Sequence, residues 1–153
     1  MESAGAGCVV DVDVDRYIWK YMNQSAKYRA RIEQIGREGE TTLADTDVEG
    51  GQTRLSVAGG DGEKMRENCS SRLLELVDEC RQTVSTYTMP GQDADACGAV
   101  ADNASLLSEP DSAQVDVDPA AGVMRLTGTA DQIKQALGIL EILGVPIPGD
   151  LPV

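Results

Sequence analysis

Apolar and acidic side chains alternate over residues 8–14 (CVVDVDV), the period of a strand with one wet face. Asp15 stands where its carboxylate can cap the next element. From Arg16 to Arg37 the apolar set Ile18, Tyr21, Met22, Tyr28, Ile32 and Ile35 falls on one helical stripe, with Gly36 as the terminator. The spacing predicts a helix of about five turns, broken near Asn23 to Ser25. Thr41–Val48 is rich in Thr and Val, and the glycine turn Glu49-Gly50-Gly51-Gln52 leads into Thr53–Ala58, the pattern of a hairpin. After Gly59-Gly60, Asp61 serves as N-cap to a long helix in which Met65, Cys69, Leu73, Leu76, Val77, Cys80 and Val84 recur at three and four residues until Pro90 and Gly91 end it.

Residues 91–113 carry Asp, Ala, Ser and Gly without periodicity, the composition of a flexible acidic linker. Gln114–Asp118 and Gly122–Thr127 alternate again around a Pro119-Ala120-Ala121-Gly122 turn, and Thr129 with Gln132 forms a capping box before a helix carrying Ile133, Leu137, Leu140 and Leu143. The order is therefore β-α-β-β-α, a linker, then β-β-α: an α+β protein with a main domain over 8–90, a linker over 91–113, a β-β-α half-repeat over 114–145, and tails at 1–7 and 146–153. Arg54-Leu55-Ser56 before Gly59 and Arg125-Leu126-Thr127 before Gly128 echo each other, each a strand that ends in glycine ahead of a helix, which suggests an internal repeat.

Composition narrows the choice of partner. The 153 residues include no Phe, one Trp and four Tyr, so the core must be aliphatic, and net charge is −13 with no histidine. Such a charge disfavours nucleic acid or anionic membrane binding by the surface as a whole, since either needs local cation excess. The charge is uneven: residues 1–90 hold 11 basic and 16 acidic side chains, residues 91–153 hold 2 and 10. The N-terminus has neither a basic segment nor an apolar run of signal-peptide length, and no stretch approaches a membrane span. The expected setting is cytoplasmic or nuclear, not secreted, with Cys8, Cys69, Cys80 and Cys97 reduced.

Candidate chemistry is sparse. Asp11, Asp13 and Asp15 share one strand face, but the offsets of a calcium loop are missing, and a solvated face accounts for them. Cys69 and Cys80 fall on one helix face without a histidine or a CxxC, so core thiols are expected rather than zinc ligands. Ser-His and Cys-His catalysis both need the absent histidine, and nothing singles out a carboxylate pair. The glycines of residues 5–7 and 50–51 match neither a dinucleotide fingerprint nor a Walker loop. No enzyme activity, cofactor, metal or small-molecule substrate is expected.

The feature that runs against the acidic average is residues 16–37, where Arg16, Lys20, Lys27, Arg29, Arg31 and Arg37 interleave with Tyr17, Trp19, Tyr21 and Tyr28 and only Glu33 opposes them. Cations among aromatics are what grooves for single-stranded nucleic acid use. A solvated face with a buried aromatic half, an acidic protein partner or the acidic linker itself would account for the same patch. The candidate partner-binding residues are Arg16, Tyr17, Trp19, Lys20, Lys27, Arg29 and Arg31, together with exposed strand edges that could support self-association.

Val9-Val10-Asp11-Val12-Asp13, the aromatic helix start from Arg16 to Tyr21, the Thr41–Val48 strand, Leu55-Ser56-Val57-Ala58-Gly59 and the long helix together resemble the divergent KH-like repeats of deltex-like E3 ligases, of the KH-bearing poly-ADP-ribosyltransferases and of a related small RNA-binding-motif protein. The resemblance covers residues 8–88, with a weaker echo over 114–144. It implies a KH/RRM-like fold used for assembly and partner binding in ubiquitin or innate immune signalling, with single-stranded RNA binding as the alternative. A KH domain that binds nucleic acid carries a GxxG loop between two helices. This sequence has none, and Gly59-Gly60-Asp61-Gly62 sets an acid where phosphate would sit. Catalytic segments of the larger relatives are absent, so their activities do not carry over.

Overall fold

The computed structural model describes residues 9–60, 62–107, 109 and 111–147. The chain is α+β and divides into two compact units between Cys80 and Arg81.

In the first unit, β1 (Val9–Asp15) runs into α1 (Arg16–Gln24), α2 (Ala26–Gly39), β2 (Thr41–Val48), β3 (Gln52–Gly59) and α3 (Glu63–Arg81). The three strands form one antiparallel sheet in the order β1-β3-β2. The Glu49–Gly51 turn closes the predicted hairpin, with Val48 opposite Gln52 and positive φ at Gly50 and Gly51. One face of the sheet is polar: Asp13 accepts both of its hydrogen bonds from Arg54, and Asp11 accepts one from Ser56, at 2.7 Å. The other face buries Val14, Leu55 and Val57 beneath the helices, where Met22, Leu73, Leu76 and Cys80 complete the core. Each large aliphatic side chain taken fully out of water stabilises by about 1.5–3 kcal/mol, so this aliphatic set substitutes for the missing phenylalanines.

Asp15 caps α1 as expected, its Oδ1 accepting from the Tyr17 and Ile18 amides at 2.9 and 3.0 Å. The predicted break falls at Ser25, the single residue between α1 and α2. Gly36 does not end the second helix: α2 continues to Gly39 and is closed by Glu40 in the left-handed region (φ 52°), whose amide bonds back to the Arg37 and Gly36 carbonyls. The proposed cap at Asp61 lies outside the described residues.

The second unit has β4 (Ser85–Met89), α4 (Ala94–Asp102), α5 (Ala104–Leu107), β5 (Gln114–Asp118), β6 (Val123–Gly128) and α6 (Ala130–Ile142), with an antiparallel sheet in the order β4-β6-β5. This corrects three expectations. The long helix stops at Arg81 rather than near Pro90, because the β-branched and aromatic run Thr83 to Thr88 is better placed in a strand paired with β6 than in another helical turn. Residues 91–113 are not a linker: Asp93 caps α4 by accepting from the Ala96 amide at 2.8 Å, and Ala96, Cys97, Val100 and Leu107 enter the core. Alanine's high helix propensity, hidden among Asp and Ser, outweighed the linker-like composition. Residues 114–145 are consequently part of a complete second unit and not a half-repeat. The Thr129–Gln132 capping box is present as predicted, with 2.9 and 3.2 Å bonds.

Both units thus have the order β-α-α-β-β-α and a sheet in which the last strand lies in the middle. The echoing arginines occupy that strand in each, Arg54 in β3 opposite Asp13 and Thr46, Arg125 in β6 opposite Thr88 and Asp116. The fold is of the KH/RRM-like kind.

Candidate partner-binding face

The basic and aromatic residues of the first unit come together on α1 and α2, but most are turned to structural use. Trp19 is 3% exposed, and its indole Nε1 donates to Asp45 Oδ2 on β2 at 2.9 Å. Tyr21 and Tyr28 are buried with ring centroids 6.4 Å apart. Tyr17 is half-buried, over the Gly51 turn. Three of the four rings of the helical pair are therefore inside, where no nucleobase can stack on them.

The cations are similarly engaged. Arg16 spans the start of α1 and the hairpin: its Nη2 donates to the Val48 and Gln52 carbonyls and its Nε lies 3.5 Å from Asp47 Oδ1. Arg31 forms a two-pronged pair with Glu79 of α3, which holds the guanidinium's proton more firmly and the carboxyl below its usual range. Arg29 lies 3.5 Å from Glu33 one turn on. Lys27 sits with its Nζ 5.1 Å from the centroid of the Tyr28 ring, a cation–π arrangement, and Lys20 is half-buried. Of the seven candidates, only Lys27 and Arg29 are exposed.

Under α2, Tyr28 meets Cys80. Their hydrogen-bonded pair is withdrawn from water, and burial pushes the Tyr28 hydroxyl up to about 12 and the Cys80 thiol up to about 11. Both groups stay protonated at neutral pH, so Cys80 is a core thiol. Cys69 is likewise buried, against the Ile35 carbonyl and the Thr41 hydroxyl. Among the described residues no group of three or more acids, thiols or imidazoles is gathered as a metal site, and no helix is long and apolar enough to cross a membrane. Asp11, Asp13 and Asp15 have the distinct partners given above.

A surface that the sequence did not single out lies beside β2. A groove of about 540 Å³ runs between the C-terminal half of α2 and this edge strand, with Ile32, Gly36, Thr41 and Leu43 at its floor and Glu33, Arg37 and Glu40 at its rim. A Cβ added at Gly36 would lie 3.6 Å from the Thr41 carbonyl oxygen, an ordinary contact. The only sequence signal was that glycine, which the periodicity assigned to helix termination instead.

No family model matches the chain, and no curated protein matches it. The resemblance to deltex-like ligases and poly-ADP-ribosyltransferases therefore has no counterpart in either comparison. Among solved structures, a chain from the a/eIF2alpha-aDim2p-rRNA complex of Pyrococcus horikoshii OT3 is similar over 97% of this chain and 92% of that chain, at 12% identity and a TM-score of 0.36. A likeness so distant carries no argument about activity.

Proposed function

We propose that this protein is a non-enzymatic KH-like interaction module that binds a protein partner or a second copy of itself. The observation that carries this reading is the fate of the basic and aromatic helix pair. Trp19, Tyr21 and Tyr28 are core residues, while Arg16, Arg29 and Arg31 face carboxylates of the same unit. The helices meet through Ser25 alone, and α4 and α5 meet through Asn103 alone, so neither junction offers a GxxG-type loop to clamp a phosphate backbone. What remains available for recognition is sheet edge and groove. Free, buried Cys69, Cys80 and Cys97 are consistent with a reducing cytoplasmic or nuclear setting, and the resemblance drawn from residues 8–88 would put the module in ubiquitin or innate immune signalling.

The alternative, single-stranded RNA binding through the basic and aromatic residues of 16–37, makes a different prediction. Fluorescence anisotropy of a labelled single-stranded RNA pool at about 50 and 200 mM salt separates the two, because contacts to phosphate weaken steeply over that range. No binding at the lower salt is expected, with size by light scattering unchanged by RNA. Binding that is lost at the higher salt and on Lys27→Glu/Arg29→Glu would refute the interaction reading.

A further inference from the structure

Four strands stand at the margins of the two sheets, β1 and β2 in the first and β4 and β5 in the second, and among the described residues each pairs with a central strand only. An outer strand leaves a row of backbone donors and acceptors open to another chain, and charged side chains are a common device against such pairing. Three of the four strands carry it. β1 has Asp11, Asp13 and Asp15, β2 has Asp45 and Asp47, and β5 has Asp116 and Asp118. Asp13 and Asp47 face arginines, and Asp11 and Asp45 accept from neutral groups. Engaged in either way, they meet a second set of carboxylates when a second copy is laid along the same edge, an arrangement that disfavours pairing. β4 differs: its sequence, Ser-Thr-Tyr-Thr-Met, has no charged residue, and the nearest charges along the chain, Arg81 before it and Asp93 after it, are of opposite sign.

This strand is also self-complementary. Antiparallel pairing of two copies about Tyr87 sets the two Tyr87 side chains together, each Thr86 beside a Thr88 and each Ser85 beside a Met89. Aromatic and Thr–Thr cross-strand pairs are among the stabilising ones. Tyr87 is the one aromatic residue of the second unit, and it packs on that unit's core while remaining only half-buried, so its counterpart would cover more of the ring. A phosphate backbone would find no cation on β4. We propose that two copies of the chain join through β4, forming one six-stranded sheet in the order β5-β6-β4-β4-β6-β5. This assignment rests on the interaction function proposed above and names the partner, a second copy, and the edge that receives it.

The test is light scattering of the whole chain from about 10 µM to about 1 mM, the range in which a small interface of this kind dissociates. The mass is expected to rise from one chain toward two, with concentration-dependent shifts of the Ser85–Met89 amide resonances and none in β1, β2 or β5. Thr88→Glu places a carboxylate at an exposed position of β4, opposite Arg125, and is expected to raise the dissociation constant about tenfold or more. Thr46→Glu is the control, since it makes the same change of charge at an exposed position of β2, opposite Arg54, and should leave the dimer intact. Far-ultraviolet circular dichroism checks folding, and Ser85→Glu, also exposed on β4, provides the test if Thr88→Glu is unfolded. The mass of one chain at every concentration, or equal weakening by Thr88→Glu and Thr46→Glu, overturns the β4 interface while leaving a different protein partner open to the proposed function. A single chain that binds labelled oligouridine at about 50 mM salt and releases it at about 200 mM overturns both.

Discussion

Gly39 gives the sharpest test of how the first unit is packed. It is the last residue of α2 and is buried, and a Cβ added to it would lie 2.3 Å from Cys69 Sγ. The other neighbours, Thr41 Cγ2 at 3.5 Å and Met65 Cγ at 3.6 Å, are at ordinary contact distance, so the clash is with one atom. The thiol cannot simply swing away. It is 1% exposed, takes a bond from the Thr41 hydroxyl at 3.4 Å and points toward the Ile35 carbonyl at 3.8 Å. Forcing an extra methyl into a packed core costs about 1–3 kcal/mol. Replacing a helical glycine returns at most about 1 kcal/mol, and less at a terminus. The clash wins, and Gly39→Ala is expected to destabilise the unit by about 1–2 kcal/mol.

The assay is urea unfolding followed by Trp19 emission, which reports the first unit because this is the chain's one tryptophan and it lies in that core. With a slope of about 1 kcal/mol per molar urea for a unit of this size, the midpoint should fall by about 1–2 M. Cys69→Ala alone should also destabilise, by about 1 kcal/mol, through lost packing. Combined with Gly39→Ala it should restore most of the loss, so that the double variant is more stable than the sum of the two single effects by about 1 kcal/mol or more. Strict additivity, or an unchanged midpoint for Gly39→Ala, would refute the reasoning, since the only predicted obstacle is the sulfur.

Asp45→Ala should lower the same midpoint by about 1 kcal/mol and shift Trp19 emission by leaving its buried indole N–H without its acceptor, whereas Asp45→Asn, which keeps an oxygen there, should cost less. Thr129→Ala should remove about 1 kcal/mol from α6, read as faster hydrogen exchange of the Ile133 to Leu137 amides. The Tyr28–Cys80 pair makes stability depend on alkaline pH: both protons are held more tightly when folded, so the contribution is complete below pH 9, where the thiol of the unfolded chain begins to titrate from its ordinary value of 9.0, and is lost as pH rises toward about 11 and 12. The Trp19-monitored midpoint should therefore fall between pH 9 and 11, and Tyr28→Phe/Cys80→Ala should flatten that part of the profile; a drop of the same size in the double variant would assign it to other groups.

How much of this was legible in the sequence depended on whether a residue's role was set locally. Asp15, the Gly50–Gly51 turn and the Thr129–Gln132 box act on neighbours within four positions, and each was found where its pattern predicted. β4 was not legible, because Ser85–Met89 becomes a strand only by pairing with Val123–Gly128, some 40 positions later. The helix at Ala94–Asp102 was hidden for a related reason: its apolar content is alanine, one cysteine and one valine, mostly small side chains that bury well but leave little periodicity to read. For the site, residue type indicated a basic and aromatic cluster, but only the tertiary arrangement shows that Glu79 on α3 and Asp47 and Asp45 on β2 engage Arg31, Arg16 and the indole donor of Trp19.

That consumption bears on why an acidic chain retains so basic a helix pair. Were Arg16 and Arg31 recognition residues, their ionic partners would lie on a ligand; instead Arg16 ties α1 to the β2–β3 hairpin, and Arg31 ties α2 to α3. The first bond holds α1 against the hairpin and the second holds α2 against α3, and α2 lines the groove beside β2. From β4 onward the second unit holds the same order of elements with two basic residues, Arg125 on the central strand and Lys134 on α6, and Asp116 stands opposite the first of them. The opposition of arginine on the central strand and aspartate on a neighbour is thus common to both sheets, while the ties made by Arg16 and Arg31 belong to the first.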